Sequence, residues 1–400
     1  MVRAALFAAL LAAAGAVQAQ DNGDVSPTLR SAVAAYRDGD LATAEAALRP
    51  LAPGNADAEA WLGAVLLERG ADREALRLIQ RAADAGSAEG AHRLALILAQ
   101  GLAGTTRNDA RAYELFLKAA SAGHARAQVN LGILFLRGQG VARDLVQARA
   151  WLEKAAAGGD PLALYALGRA MDESSDQAPA DPVRAADLFR RAAEKGHMLA
   201  ALRYGLALSE GTGLKRDPVT AQRWLILAQE NGVPEAALAL GDMAARTPAS
   251  RDKAANERIV QSALSWYQVA ANGGVPSAQF KLANAYFAGV GVARDPAQAQ
   301  MWYGRAAHQG LPQAQHALGL MLIGGAAGQS DPVEGYRWLV LAERGGHPDS
   351  RPAREKAGEQ IGERDRKRAE AQAQAFKPIL ERPIDAAPPR LVPPRALPGR

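Results

Sequence analysis

Helix-stopping glycines recur along this chain at a nearly fixed interval, and no other feature restricts its fold as tightly. Gly86, Gly123, Gly159, Gly196, Gly232, Gly274, Gly310 and Gly346 are spaced 37, 36, 37, 36, 42, 36 and 36 residues apart. A glycine just past a helix supplies the left-handed backbone that other residues resist. A second marker keeps the same frame: Asp109, Asp144, Asp181, Asp217, Asp295 and Asp331 each precede a helix-forming run. A carboxylate there accepts from free backbone N–H groups and complements the helix dipole. Four of the six are followed by proline, at 182, 218, 296 and 332, the favoured first helical position. Helix pairs of this size cannot bury both apolar faces alone, so they must stack on neighbours. The chain is therefore expected to be all-α, a solenoid of stacked antiparallel helix pairs.

Residues 125–159 show the unit most clearly. A first helix carries Leu131, Gly132 and Phe135, a turn follows at 138–141, and a second helix carries Ala148, Trp151, Ala155 and Ala156. Seven residues after each aspartate stands a large side chain, Phe116, Trp151, Leu188, Trp224, Trp302 or Trp338, with Trp266 in the matching place. A small residue usually lies three earlier, so the row reads as inter-helix core rather than as a strip for stacking sugars. Two units depart from the pattern. An acidic segment, 172–179, replaces one glycine turn, and about six extra residues near 247–258 are expected to lengthen the connection within another unit.

The ends differ from the body. Residues 1–19 have a basic start at Arg3, an apolar run over 4–17 and a small-residue site at 17–19, the pattern of a removed signal peptide. The run is shorter than the roughly 20 residues of a membrane span, so the expected location is an exported compartment, the bacterial periplasm. With no cysteine in the chain, disulfides, thiolate metal sites and thiol nucleophiles are excluded. The net charge of +5 is unevenly placed: residues 20–350 carry −1, 351–376 carry +2 and 377–400 carry +3. A near-neutral body argues against nucleic acid as a partner. The expected layout is a signal at 1–19, a tetratricopeptide-like helix pair at 20–57, about eight repeats over 58–346, a charged capping helix at 347–376 and a proline-rich, basic, disordered tail at 377–400. The tail is expected to make weak contacts with anionic envelope surfaces.

The elements A-x-x-x-L-G, G-x-G-V, D-P-x-x-A and W-Y-x-x-A-A-x-x-G, clearest at 125–159 and 278–310, resemble the Sel-one-like repeat, a branch of the tetratricopeptide superfamily. The resemblance covers roughly residues 58–346. It implies a right-handed α-solenoid and a role as adaptor or scaffold. Exported bacterial members include regulators of sensor kinases, scaffolds of exopolysaccharide assembly and a cysteine-bridged group linked to penicillin binding; the lack of cysteine departs from that last group.

Chemistry-bearing patterns are absent. His124, His197 and His347 follow helix-ending glycines about a repeat or more apart, and His92, His308 and His316 have no second ligand four residues on. The G-x-G turns at 138, 211 and 289 follow helices and lack a downstream Gly-Lys-Ser/Thr, so they are turns rather than phosphate loops. No metal, cofactor or catalytic residue is expected.

In the resembling solenoids the first helix of each pair lines a concave groove. The offsets set by Leu131 and Gly132 place Arg126, Val129, Ile133, Leu136, Leu162, Tyr165, Arg169, Leu202, Leu206, Phe280, Asn284, Phe287, His316, Leu320 and Ile323 on that surface. Many are apolar, which suits a bound peptide or helix, while burial between repeats is the competing explanation. The function expected is a non-enzymatic protein-binding adaptor of the bacterial envelope. A wall- or polysaccharide-binding protein is the alternative, and a hydrolase acting on wall peptides or β-lactams comes third.

Overall fold

A computed structural model of the chain describes residues 26–381. The signal-like segment 1–19 and the tail beyond residue 381 lie outside the described residues. Two compact units divide at residue 217. The first contains α1 (Pro27–Arg37), α2 (Leu41–Leu51), α3 (Ala56–Glu68), α4 (Asp72–Asp84), α5 (Ala88–Gln100), α6 (Asp109–Ser121), α7 (Ala125–Arg137), α8 (Leu145–Ala156), α9 (Pro161–Asp172), α10 (Pro182–Glu194) and α11 (Met198–Glu210). The second contains α12 (Pro218–Glu230), α13 (Pro234–Ala245), α14 (Lys253–Asn272), α15 (Pro276–Ala288), α16 (Pro296–His308), α17 (Pro312–Gly324), α18 (Pro332–Arg344), α19 (Ser350–Gly358) and α20 (Glu363–Ala375). Among the described residues there is no strand, only one isolated bridge between Ser175 and Ala178. Within each unit, consecutive helices pair and the pairs stack, as an all-α solenoid requires.

Five pairs close where a first-helix glycine meets a large side chain of the second helix. A methyl added at Gly132 would stand 2.5 Å from Leu152 Cγ, and one at Gly168 would stand 2.7 Å from the Phe189 ring. Gly63 meets Ile79, Gly241 meets Tyr267 and Gly319 meets Leu339 in the same way. Leu152 and Leu339 are fully buried, each burial stabilising the unit by about 1.5–3 kcal/mol. The tryptophan row is core as expected: Trp224, Trp302 and Trp338 are buried, and Trp151 and Trp266 are half-buried.

Asp144, Asp181, Asp295 and Asp331 cap their helices, each accepting a backbone N–H two or three residues on. In the unit of Asp109 the cap is instead Asn108, which accepts from Arg111 N–H at 3.0 Å, and Asp109 is paired with Arg107. The two glycines of a G-x-G turn serve different ends. Gly138 and Gly211 end helices in the left-handed conformation. Gly140 and Gly213 lie so near the carbonyls of Asp109 and Pro182, at the start of the preceding second helix, that no Cβ fits.

Three expectations need correction. The extra residues near 247–258 mostly extend a helix, since α14 runs for 20 residues where its counterparts run for 12 or 13. The segment 347–376 is two helices, broken at 359–362, with Ala357, Ala369 and Ala373 turned into the core of the second unit. Residues 377–381 of the tail are not free but lie against α16, held by backbone and side-chain hydrogen bonds.

Candidate functional site

The odd-numbered helices α1 to α9 of the first unit are the first members of their pairs, and α1 touches α3, α3 touches α5 and α7 touches α9. Each of α1, α3, α5 and α7 contributes polar or aromatic groups to one continuous cluster. Tyr36 of α1 meets Trp61 of α3 edge-on, ring centroids 5.4 Å apart. The Arg93 guanidinium of α5 lies 4.1 Å above the Trp61 ring, a cation–π contact. Glu89, one turn earlier on α5, pairs with Arg93 at 2.5 Å and with His124 Nε2 at 2.9 Å. His92 stacks on His124, centroids 4.5 Å apart, and Asn130 of α7 lies 3.1 Å from its Nε2. Arg126 opens the first turn of α7 beside them and has no ion-pair partner among the described residues.

Electrostatics follow from burial. Burial alone would raise the Glu89 carboxyl, yet Arg93 and His124 hold it well below the usual range. Burial, followed by the charge of His124, pushes His92 well below the ordinary histidine value. Burial lowers even the Arg126 guanidinium, with Glu89 opposing. Burial raises Glu68 of α3, against a hydrogen bond with Tyr36 and the charge of Arg93.

Among the described residues, the buried side-chain atoms left without a hydrogen-bond partner are Glu68 Oε1, His92 Nδ1, Arg93 Nε and Arg126 Nη2. All four belong to this cluster. The Arg93 N–H is not aimed at Glu89 despite the short separation of charges. Unmet buried polar atoms are costly, so a group of them on one face marks a place for a polar ligand. Three of the four are donors as the ring and guanidinium are placed, which favours an anionic group.

Glu89, His92 and His124 each offer one ligand atom within 4.8 Å of the others. Their hydrogen bonds argue against a metal. His124 Nδ1 accepts the Ala127 N–H at 3.1 Å and caps α7, so the ring proton sits on Nε2, facing Glu89. A metal at Nε2 would force the proton onto Nδ1 and abolish the cap.

The same register recurs through the chain. Where the cap is a histidine it stacks on the fifth residue of the preceding first helix, His197 on Tyr165 at 4.5 Å as His124 does on His92, and His347, three residues before α19, stacks likewise on His316 at 4.2 Å. This explains one departure from expectation. Val129, fifth in α7, is buried between repeats and does not line an open surface. Arg169, Asn284, Phe287 and Leu320 are exposed, and Phe287 and Leu320 leave 40% and 47% of their surface uncovered. Arg126, Ile133, Leu136, Leu162, Tyr165, Leu202, Leu206, Phe280, His316 and Ile323 are half-buried. Asn284 is engaged by the Tyr303 hydroxyl at 2.5 Å, and Ile323 packs against Gly335 within its own pair. Residues up to Leu206 belong to the first unit and those from Phe280 to the second.

The sequence pattern alone missed Glu68, Glu89, Arg93 and Asn130 and set His92 aside. The available signal was the register itself, since His92 and His124 fall on the fifth and capping positions of adjacent repeats.

The Sel1 repeat profile matches residues 56–87, 88–124, 125–160, 161–197, 199–233, 260–275, 276–311 and 312–347. The chain belongs to the Sel1-repeat family. Among similar solved structures, a Sel1 repeat protein from Oxalobacter formigenes is 29% identical with a TM-score of 0.60, covering 85% of this chain and 97% of that one. Chitin synthase regulator SKT5 of Saccharomyces cerevisiae is 32% identical over 235 residues, 56% of this Sel1-repeat chain and 33% of the yeast protein. Chitin synthase regulatory factor 2 of Schizosaccharomyces pombe is 34% identical over 140 residues, 33% of this chain and 27% of that protein. The matched region thus spans about a third or less of these fungal relatives. No helix among the described residues is long and apolar enough to cross a membrane.

Proposed function

We propose that this Sel1-repeat protein is a non-enzymatic adaptor that binds a partner polypeptide on the first-helix face of residues 26–217. Arg126, Arg93 and His92 take up an acidic group of the partner there. One observation carries the reading: the unpartnered buried polar atoms of the described residues gather on that face, on α3, α5 and α7. Ile133 and Leu136 of α7, half-buried and about two and three turns past Arg126, supply apolar surface along the same helix, the mixture a peptide or helix needs. The fungal relatives bear names of regulators of a polysaccharide synthase, which supports regulation of an envelope or polysaccharide-assembly complex. The signal-like segment 1–19 supports export to a bacterial periplasm.

Affinity capture with the chain lacking residues 1–19, run beside sedimentation with isolated wall material, tests the reading. Recovery of one stoichiometric polypeptide and no sedimentation is expected. Sedimentation with wall material and no recovered polypeptide would replace the adaptor by a glycan-binding protein.

A further inference from the structure

Past α20 the chain runs extended and returns along α16, within the second unit. Phe376 packs edge-on against Trp338, centroids 5.7 Å apart, and Pro378 lies against Gly310. The Ile379 N–H donates to the His308 carbonyl at 2.9 Å, and the Glu381 N–H donates to Gln309 Oε1 at 3.2 Å. The Glu381 carboxylate then accepts from Arg305 Nε at 2.8 Å, from Arg305 Nη2 at 2.5 Å and from Gln279 Nε2 at 2.8 Å. Gln309 Nε2 donates to Gln279 Oε1 at 2.9 Å, so two buried glutamines orient each other. Arg305 is laid against the Trp302 ring at 4.5 Å. This is a shaped receptor for a carboxylate on an extended strand: a bidentate arginine, an oriented amide and two backbone contacts. The aliphatic side chains of the strand are not what is recognised, since Ile379 and Leu380 stay 69% and 42% exposed.

Comparison with another repeat shows why the receptor is there. In residues 56–87 the fourth residue of the first helix is Glu59, and it pairs with Arg81, five residues before the closing glycine. In residues 276–311 the same two places hold Gln279 and Arg305. The arginine is kept and the internal carboxylate is lost, so the repeat takes one from outside. We propose that Arg305, Gln279 and Gln309 form a binding site for an extended acidic peptide, with residues 377–381 as its tethered, displaceable occupant. A partner strand bearing a suitably placed carboxylate competes with the tail, whose tether gives it an effective concentration of about a millimolar. This site lies in the second unit and is independent of the Arg126 cluster.

The test uses the full chain and a fluorescent, N-acetylated, C-amidated peptide of residues 376–381. The peptide is expected to bind Glu381→Gln protein about tenfold more tightly than wild type, because the tethered competitor is weakened. Adding Arg305→Gln to that protein, or Glu381→Gln to the peptide, is expected to cost about tenfold. In wild type, hydrogen exchange at the Ile379 amide should be slow and should accelerate when peptide is added. Equal affinity for wild type and Glu381→Gln protein, binding insensitive to Arg305→Gln, or no binding at millimolar peptide would each overturn the proposal. Fast exchange of Ile379 in the unliganded wild type would overturn it without any variant.

Discussion

Gly138 and Gly140 stand two residues apart in one turn, yet different forces fix them. Gly138 has a φ of 66° and ends α7, while Gly140, at 68°, also faces the Asp109 carbonyl where a side chain would overlap backbone. Gly140→Ala therefore meets both left-handed strain and a clash that no rotamer relieves. It is expected to destabilise the first unit by about 3 kcal/mol, read by urea denaturation, with Gly138→Ala costing about 1–2 kcal/mol. At this scale the capping aspartates and the tryptophan row were legible in sequence because each acts within its own helix or pair. The stack of His92 on His124 and the burial of Val129 were not, because they depend on how one repeat seats on the next.

Four successive first helices, α5, α7, α9 and α11, are capped by Ser87, His124, Asp160 and His197, each accepting the N–H three residues on. Histidine caps as well as the others only while its Nδ1 is unprotonated. Burial lowers His197 to about 4 from an ordinary value of about 6.5. The unfolded chain takes up the proton first, so the contribution of neutral His197 is full above about pH 6.5 and is lost as pH falls toward about 4, up to about 3 kcal/mol. His197→Ser keeps a capping oxygen and removes the titration. Denaturation midpoints measured from pH 7 to pH 4 are expected to fall less steeply for the variant than for wild type, and parallel curves would refute the assignment. Helix positions followed from the glycine and aspartate spacing. The long α14 did not, since tertiary packing sets its start, whereas the break at 359–362 had a signal in Gly358 and Gly362 that the charged, helix-like pattern around it outweighed.

For the molecule, the repeat frame read from glycines coincides with the eight family matches, and the fold was legible because every copy repeats the same construction. Function was less legible, because what builds a repeat recurs and what binds a partner need not. Arg126 was visible as a first-helix position; Glu89, His92 and Arg93 come from the preceding repeat and converge with it only after stacking. A half-buried guanidinium with no ion-pair partner among the described residues adds little to the fold it sits in, as expected of a residue that serves binding. The most direct test of the adaptor account is the affinity of the captured partner for wild type and for Arg126→Gln, measured beside the melting temperature of each. The account predicts at least a tenfold loss of affinity with a melting temperature unchanged or raised. Unchanged affinity, or a lowered melting temperature with affinity intact, would show that Arg126 belongs to the scaffold and that the partner binds elsewhere.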